Sequence, residues 1–224
     1  MHSVDVRNVT LGYGSGAETA LVLRQVSLGL LPGQLTVISG PSGSGKTSLI
    51  SIIGAMIAPD SGEVIVDGTD IARMTEEGRA SFRREKIGYV FQSFRLMAAL
   101  TAEENISLSL ELRRVSQRRQ RSQAALETVG LAAKGKLKPH QMSHGEKQRV
   151  AIARAIAHAP RVVLADEPTA SLDADNGGQV TNLLSDIARD PDRTVAIVTH
   201  DPRVIPFAHR VVRLEDGRIV GDQQ

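Results

Sequence analysis

The sequence predicts an α/β fold with a mainly parallel sheet, an antiparallel β subdomain at the N-terminus and an inserted helical subdomain. Short apolar strand-like runs alternate with helix-like segments over residues 35–53 and again over residues 162–199, an order typical of parallel sheets. Two β-like stretches precede the first alternating unit, and residues 101–158 have a mainly helical pattern. The helical stretch is therefore predicted to be an insertion in an α/β core.

The N-terminal half is predicted to be rich in strands. Spaced apolar residues over positions 4–11 indicate an early strand, and residues 21–31 form a second β-like stretch that ends at the Pro32-Gly33 turn. Residues 35–39 (LTVIS) are a candidate buried strand, followed by a glycine-rich turn and an apolar helix from about Lys46. Further strands are predicted over residues 62–68 and 87–91.

The C-terminal half returns to alternating elements. Strands are predicted over residues 162–165 and 194–199 with a helix over 177–188 between them, and Asp216-Gly217 predicts a hairpin near the C-terminus. We find no internal repeat and no low-complexity linker. One domain is therefore expected over residues 1–224: a core of about 1–91 and 159–224, and a helical subdomain of about 92–158.

The composition excludes several kinds of function. The chain has 224 residues, a formal charge of +2, no cysteine and only 3% aromatic residues. Disulfides and zinc–thiolate sites are excluded, and nucleic acid is not an expected partner, because single-strand binders interleave aromatics with basic residues. The N-terminus lacks the pattern of a signal peptide, and the longest apolar stretch, residues 49–58, is shorter than the roughly 20 residues of a membrane span. A cytoplasmic chain is expected.

A phosphate-binding loop is predicted between the strand at 35–39 and the helix that follows it. Residues 40–47 match G-x-x-x-x-G-K-[ST] in the required strand–loop–helix context. Glycines let backbone amides approach phosphate oxygens, Lys46 would reach the β/γ oxygens, and Thr47 would ligate Mg²⁺. The alternative is a flexible glycine turn before a helix. The candidate nucleotide-binding residues here are Gly40, Pro41, Ser42, Gly43, Ser44, Gly45, Lys46, Thr47 and Ser48.

A second phosphate-site segment is predicted where the strand at 162–165 ends in two carboxylates, as in a Walker B segment. Asp166 would assist Mg²⁺, and Glu167 would polarise the water that attacks the γ-phosphate. The alternative is a solvated acidic turn. With the preceding loop, this segment indicates a P-loop NTPase core.

Four further motifs complete a resemblance that covers nearly the whole chain. They are YVFQSF around Gln92, MSHGEKQRVAIARA from Met142, ASLDAD around Asp173 and VTHD around His200. In this order they resemble those of the nucleotide-binding subunit of an ATP-binding cassette (ABC) transporter. FQSFRLMAALTAEENI and LADEPTASLD are most similar to the subgroup that serves lipoprotein release and macrolide-type export.

The resemblance implies roles for four residues. Tyr13 would stack on adenine, Gln92 would approach Mg²⁺ and the attacking water while its loop contacts the membrane subunit, and His200 would contact the γ-phosphate. Asp173 would communicate between two nucleotide sites. Taken singly, without the other motifs, Tyr13 would be interpreted as a surface tyrosine at a strand end, Gln92 as a polar loop residue and His200 as a local hydrogen-bonding residue.

The segment MSHGEKQRVAIARA, which we call the signature segment, has a local and a functional interpretation. Ser143 and Glu146 have the S-x-x-E form of a capping box at a helix start, and the same helix N-terminus favours an anion where Gly145 permits close approach. In the family this segment faces the γ-phosphate bound by a second cassette. Met142, His144 and Glu146 depart from the usual L-S-G-G-Q, and we hypothesise that Ser143 and Gly145 preserve the contact.

The resemblance implies an ATPase that dimerises around two Mg-ATP molecules and drives a separate permease, with or without an extracytoplasmic adaptor. Its location would be the cytoplasmic face of the cell membrane, through the permease. Export is expected, and an uptake transporter, a soluble non-transport ABC ATPase and a non-hydrolysing regulatory module are the alternatives. A basic cluster is either a solvated helix face or a contact for anionic lipid or an acidic membrane-subunit segment. It comprises Arg113, Arg114, Arg118, Arg119 and Arg121.

Overall fold

The computed structural model describes residues 2–14 and 20–224. Their strands are β1 (Val4–Tyr13), β2 (Ala20–Leu30), β3 (Leu35–Ser39), β4 (Ser61–Val66), β5 (Thr69–Asp70), β6 (Ile87–Val90), β7 (Val162–Asp166), β8 (Thr194–Thr199), β9 (Arg210–Glu215) and β10 (Arg218–Gln223). Their α-helices are α1 (Lys46–Ile53), α2 (Glu76–Lys86), α3 (Ala102–Leu112), α4 (Arg118–Thr128), α5 (His144–Ile156) and α6 (Ala174–Ala188). Within these residues no helix combines the length and apolar character needed to cross a membrane.

The strands form two sheets. A four-stranded antiparallel sheet has the order β2-β1-β4-β5, and a six-stranded sheet has the order β10-β9-β3-β8-β7-β6. The six-stranded sheet is parallel from β9 to β6, whereas β10 pairs antiparallel with β9. The predicted fold class is confirmed: a mainly parallel sheet, an N-terminal antiparallel sheet and an inserted group of helices.

Helix α1 packs between the two sheets. Its apolar residues Leu49, Ile50, Ile52 and Ile53 are buried, and they belong to one core that joins the antiparallel sheet to one face of the parallel sheet. Burying such a side chain fully contributes roughly 1.5–3 kcal/mol. Because α1 starts at Lys46, this packing holds the end of the glycine-rich loop against the sheet.

The opposite face of the parallel sheet is covered by helices. Apolar residues of α3, α4, α5 and α6 form a second core with Val37, Val163 and Val195. Neighbouring residues in these strands, such as Ile38 and Leu164, belong to the first core. Strands that are buried on both faces have nearly continuous apolar sequences. VVLA is apolar throughout, whereas LTVIS contains the buried Thr36 and ends at Ser39.

The helix α2 was not predicted from the sequence. It is highly charged and only Phe82 is buried along it, so it has no apolar periodicity. Thr75 caps it by accepting a hydrogen bond from the amide of Gly78 at 3.2 Å. A helix that lies on the surface with one buried anchor is set by tertiary contacts more than by sequence pattern.

Candidate functional site

The candidate site lies at the carboxyl edge of the parallel sheet. The glycine-rich loop follows β3, Asp166 ends β7, and His200 follows β8. The strands β3, β8 and β7 are neighbours in this order. Open parallel sheets bind their ligands at this edge, because loops from adjacent strands converge there.

An open cavity of about 470 Å³ occupies this edge. Ten of the sequence-predicted residues line it, together with Val22 of β2. The complete lining is Tyr13, Val22, Ser42, Gly43, Gly45, Lys46, Thr47, Ser48, Gln92, Glu167 and His200.

The glycine-rich loop has the conformation of an anion cradle. Gly43 and Gly45 have positive φ angles of 81° and 100°, which glycine adopts without steric cost. A Cβ on Gly45 would lie 2.7 Å from the carbonyl oxygen of Val22, whereas one on Gly43 would meet nothing within 4 Å. Gly45 is therefore required for close packing against β2, and Gly43 faces open space where a phosphate can lie.

Lys46 lies across the loop that precedes it. Its Nζ donates to the carbonyl oxygens of Gly40 and Pro41 at 2.9 and 2.8 Å. Burial lowers the pKa of this ammonium group, while Glu167 and Asp166 oppose the shift. Ser44 is buried and its hydroxyl has no partner among the described residues. The loop thus presents a cation to the cavity and holds a buried hydroxyl that has no partner among the described residues.

Thr47 and Asp166 form an oxygen pair suited to magnesium. The Thr47 hydroxyl donates to a carboxylate oxygen of Asp166 at 3.2 Å. Burial raises the pKa of Asp166, and the hydrogen bond from Thr47 opposes that shift. Mg²⁺ in phosphate sites is held by one or two protein oxygens plus phosphate and water, so a hydroxyl and a single carboxylate fit this ion.

Glu167 is held in a strained and well-defined position. Its φ angle is 47°, a left-handed conformation that costs a residue other than glycine about 1–3 kcal/mol. The Thr199 hydroxyl donates to Oε2 at 2.9 Å, the backbone amide of His200 donates to Oε1 at 3.1 Å, and His200 Nδ1 lies 2.7 Å from Oε1. The end of β8 therefore fixes the carboxylate at the cavity.

Gln92 and Tyr13 lie at the periphery of the cavity. Gln92 is exposed and follows β6 by two residues, so it enters from the loop that leads towards α3. Tyr13 ends β1 and is 55% exposed. An exposed aromatic face beside a phosphate cradle is available to stack on a base.

The signature segment forms the predicted capping box. Ser143 Oγ accepts from the amide of Glu146 at 3.2 Å, and a carboxylate oxygen of Glu146 accepts from the amide of Ser143 at 3.0 Å. The other carboxylate oxygen of Glu146 pairs with Lys134, whose hydrogen bond lowers the pKa of Glu146. The negative charge at this departure from the usual motif is therefore neutralised within the chain.

The other signature residues contact neighbouring motifs. The His144 ring stacks on Phe94, two residues after Gln92, with centroids 5.9 Å apart. A Cβ on Gly145 would lie 2.3 Å from the side-chain oxygen of Asn176, and Asn176 donates to the carboxylate of Asp173 at 2.8 Å. Asp173 itself caps α6. The start of α5 and the start of α6 are thus packed together.

Comparison with known proteins identifies the family. The model of the family described as ABC transporter matches residues 23–170. The chain belongs to the ABC transporter family. The predictions of the family, of an ABC transporter ATP-binding subunit and of ATPase activity are confirmed.

Related cassettes align along nearly the whole chain. An uncharacterized ABC transporter ATP-binding protein of Bacillus subtilis, YvrO, is 41% identical over 98% of this chain and 96% of its own length. The macrolide export ATP-binding/permease protein MacB of Sodalis glossinidius is 39% identical over 98% of this chain, but over only 34% of its own length. This chain therefore corresponds to about a third of that relative.

A solved structure matches the cassette closely. It is the dimeric post-hydrolysis state of the ATP-binding cassette MJ0796 of Methanocaldococcus jannaschii, bound to ADP and Pi, at 38% identity. The TM-score is 0.89, and the alignment covers 99% of this chain and 98% of that one.

The cassette brings together some of the predicted site residues and separates others. Gly40, Pro41, Ser44 and Asp166 do not line the cavity. Gly40 and Pro41 accept hydrogen bonds from Lys46, and the Ser44 amide donates to the carbonyl oxygen of Pro41 at 3.3 Å. Asp166 accepts from Thr47. Ser143, Gly145 and Asp173 do not line the cavity of their own chain. They lie together at the starts of α5 and α6.

Two residues of the cassette site were not predicted from the sequence. Val22 lines the cavity from β2, and Thr199 donates to Glu167. The position of Thr199 directly before the VTHD histidine was an available signal. Val22 offered none, because an apolar strand residue has no chemical signature.

Proposed function

We propose that two copies of the cassette enclose two Mg-ATP molecules and that hydrolysis drives a separate membrane permease, for export. Each nucleotide would lie between Lys46 of one copy and Ser143 of the other. The observation that carries the proposal is the division of the motifs. Residues of the glycine-rich loop, Glu167 and His200 line one open cavity, whereas Ser143 and Gly145 of the same chain do not.

We further propose that the chain is a single cassette with the boundaries predicted above, a core of about 1–91 and 159–224 and a helical part of about 92–158. The helical part would carry Ser143 towards the second copy. The packing of the helices supports this division, because α3, α4 and α5 contact one another.

ATP would be held by complementary groups in the cavity. Tyr13 would stack on the base, and the loop amides with the N-terminus of α1 would bind the phosphates. Lys46 would leave the carbonyl oxygens of Gly40 and Pro41 for the β/γ-phosphate oxygens. This exchange is favourable because phosphate carries formal negative charge and a carbonyl does not.

Mg²⁺ would be held by Thr47, Asp166 and Gln92. When bound it would neutralise charge on the phosphates. The donor set supports this assignment, since the Thr47 hydroxyl and Asp166 carboxylate are already paired. Gln92 would contribute an amide oxygen from a loop that is exposed beside the cavity.

Glu167 would accept a proton from the attacking water. The hydrogen bonds from Thr199 and the His200 amide orient its carboxylate, and a general base must be within hydrogen-bond reach of the proton it removes. His200 would contact the γ-phosphate from the same segment. The left-handed backbone at Glu167 supports a functional role, because strain of this kind clusters at active sites.

Ser143 and Gly145 would close the site from the second copy. The N-terminus of α5 favours an anion, and the pairing of Glu146 with Lys134 limits repulsion of the γ-phosphate. Asp173, held beside Gly145 through Asn176, would link the two sites. Loss of the γ-phosphate would remove the contact that joins the copies and let them separate.

A separate permease and the cytoplasmic face of the membrane are proposed from the family and its relatives. The relative MacB is named as an ATP-binding/permease protein for macrolide export. The relative YvrO is named only as an ABC transporter ATP-binding protein and aligns over 96% of its own length, which supports a permease on a separate chain. An extracytoplasmic adaptor would complete the assembly in systems of this subgroup.

The test replaces the proposed base. Glu167→Gln should retain ATP, accumulate as a dimer on size-exclusion chromatography and lose at least about 10²-fold in turnover, because general-base catalysis contributes 10²- to 10⁴-fold. Glu77→Gln is the matched control: it removes one exposed carboxylate on α2, away from the cavity. Unimpaired turnover of Glu167→Gln would remove Glu167 from this role, and a strictly monomeric ATP-loaded protein would contradict the dimer.

The Glu167→Gln variant, which should retain ATP as a dimer, also tests whether the cassette binds a membrane subunit. Affinity-tagged Glu167→Gln added to solubilised membranes of the source organism should recover an integral membrane subunit in the presence of ATP. Identification of that subunit by mass spectrometry would distinguish export from uptake. Recovery of no membrane subunit would favour the soluble ATPase alternative.

A further inference from the structure

The signature segment carries a negative charge at the end that is proposed to face a phosphate. The N-terminus of α5 favours an anion, but Glu146 lies in its first turn, where the usual motif has glutamine. The Glu146 side chain is only 14% exposed, and one of its carboxylate oxygens accepts from the amide of Ser143. Without compensation, this charge would repel the γ-phosphate that Ser143 is proposed to contact.

The carboxylate of Glu146 remains ionised at neutral pH. The hydrogen bond from Lys134 is the main cause of its lowered pKa, and the hydrogen bond from the Ser143 amide adds to the shift, while burial opposes it. Both hydrogen bonds favour the charged form. Because protonation does not remove the negative charge, a cation has to balance it.

Lys134 supplies that cation. Its Nζ pairs with the second carboxylate oxygen of Glu146. The nearest basic side chain further along α5 that affects Glu146 is Arg149, which is the smallest of the causes of the lowered pKa. Arg149 donates instead to the side-chain oxygen of Gln179 in α6, at 3.4 Å. Among the described residues, only Lys134 places a side-chain nitrogen within 4.0 Å of the Glu146 carboxylate.

The segment between α4 and α5, which carries Lys134, is anchored by backbone hydrogen bonds. The amide of Lys134 donates to the carbonyl oxygen of Leu131 at 2.9 Å, and its own carbonyl oxygen accepts from the amide of Leu137 at 3.0 Å. The start of α3 is joined to the same segment, because the amide of Glu103 donates to the carbonyl oxygen of Gly135 at 2.9 Å. The ammonium group is therefore presented to the start of α5 by an ordered turn.

Two other ion pairs of the helical part lie on its surface. Arg118 pairs with Glu111 and Arg119 with Glu103, whose side chains are 62% and 26% exposed. Exposed pairs contribute little to stability, and these two fit the solvated-face interpretation of the basic cluster. Glu146 is the least exposed of the three glutamates, so the loss of its cation should have the largest effect.

We infer that Lys134 is a further positioning residue for the nucleotide bound by the second copy, and that it acts only through Glu146. It would hold the carboxylate in the capping box and cancel its charge, so that the N-terminus of α5 still attracts the γ-phosphate. This inference rests on the proposed function. It implies that the two residues depend on each other, because loss of the cation is harmful only while the carboxylate is present.

The test measures the ATP-dependent dimer of Glu167→Gln by analytical ultracentrifugation. Adding Lys134→Gln should raise the dimer dissociation constant by at least about 10-fold, because an uncompensated carboxylate then lies beside each of the two γ-phosphates. Adding Lys134→Gln together with Glu146→Gln should restore the parent value, since glutamine keeps the capping box without the charge. Lys134→Arg, which keeps the cation, should also retain it.

Lys136→Gln is the matched control. Lys136 is exposed in the same segment, and its loss changes the formal charge by the same amount, so the dimer dissociation constant should not change. Steady-state kinetics with Glu167 in place give a second readout. Lys134→Gln should raise KM for ATP and leave kcat nearly unchanged, because it removes binding and leaves the residues that line the catalytic cavity intact.

Urea denaturation checks that each variant folds, since Lys134→Gln leaves a carboxylate of low exposure without its cation. If that variant does not fold, Glu146→Gln and Lys134→Gln/Glu146→Gln carry the test. Their dimer dissociation constants should be equal. A weaker dimer for the double variant would show that Lys134 acts other than through Glu146, and this would overturn the inference.

The outcomes separate this inference from the proposed function. If Glu167→Gln itself forms no ATP-dependent dimer, the proposed function fails and this inference fails with it. If Glu167→Gln dimerises and Lys134→Gln leaves the dissociation constant unchanged, only the role of Lys134 is overturned. The same conclusion follows if Lys136→Gln weakens the dimer as much as Lys134→Gln does, or if Glu146→Gln does not restore it.

Discussion

At the scale of single residues, the carboxylate of Glu167 depends on the end of β8. Thr199 donates to Glu167 Oε2 at 2.9 Å and also accepts from the amide of Asp201 at the same distance. One hydroxyl thus links the proposed base to the segment that carries His200. A charge-assisted hydrogen bond of this kind contributes roughly 1.5–3 kcal/mol.

Thr199→Val tests this link with little change of shape. We expect the kcat for ATP hydrolysis to fall by roughly 10-fold or more, because each 1.36 kcal/mol of barrier corresponds to tenfold. KM for ATP should change little, since Thr199 does not line the cavity. Steady-state ATPase kinetics measure both parameters.

The matched control is Thr36→Val. Thr36 is also buried in the parallel sheet, but its hydroxyl has no partner among the described residues. Its replacement should leave kcat unchanged. Equal kcat values for both variants would show that Thr199 does not position Glu167.

At the scale of secondary-structure elements, two helices begin with the same cap but have different proposed roles. Ser143 and Glu146 form a capping box on α5, and Thr101 and Glu104 form one on α3. A cap satisfies amides that the first turn leaves unpaired. Only the cap of α5 is proposed to face a nucleotide of the second copy.

Ser143→Ala and Thr101→Ala therefore separate stability from function. Each should lower the free energy of unfolding by about 1 kcal/mol, the usual value for such a cap, measured by urea denaturation. Only Ser143→Ala should also weaken the ATP-dependent dimer of Glu167→Gln, measured by analytical ultracentrifugation. If both substitutions weakened the dimer equally, Ser143 would have only its local capping function.

At the scale of the whole molecule, the two cores meet at the parallel sheet, and loops at one edge join the catalytic segments. Asp201 is one of the residues that link these loops. Its carboxylate accepts from Arg203 and, at 3.0 Å, from the hydroxyl of Thr169 in the loop after β7. Hydrogen bonds from Arg203 are the main reason that the pKa of Asp201 is lowered to about 2.

The carboxylate of Asp201 should make the stability of the fold sensitive to acid. A carboxylate whose pKa is lowered on folding contributes stability above its ordinary pKa of 3.8, and that contribution is lost as the pH falls towards its folded value. Asp201→Asn should therefore be less stable than the parent protein at about pH 6, and the difference should shrink as the pH falls from about 4 to about 2. Urea denaturation over this pH range measures it.

Asp192→Asn provides the control for acid sensitivity. Asp192 is exposed and forms no ion pair among the described residues, so its substitution should give a small difference at every pH. A stability difference for Asp201→Asn that stayed constant with pH would contradict the role assigned to the charge.

Features encoded by consecutive residues were determined by the sequence alone. The glycine-rich loop, the carboxylates after β7 and the capping box of α5 each depend on a spacing of a few residues, which fixes local geometry wherever the segment lies. The strands β3, β7 and β8 were predicted for a related reason: burial on both faces favours a nearly continuous apolar run. These local signals were sufficient for the fold class and the family.

Other features depend on residues that are distant in the chain, and only the tertiary structure decided them. The hydrogen bond from Thr199 to Glu167 spans 32 positions and the pairing of Glu146 with Lys134 spans 12. A surface groove beside Gln92 is lined by arginines from α2, the loop after β6, the end of α3, and α5. No spacing rule in the sequence encodes these contacts, because the packing of the elements sets the distance between side chains that are far apart in the chain.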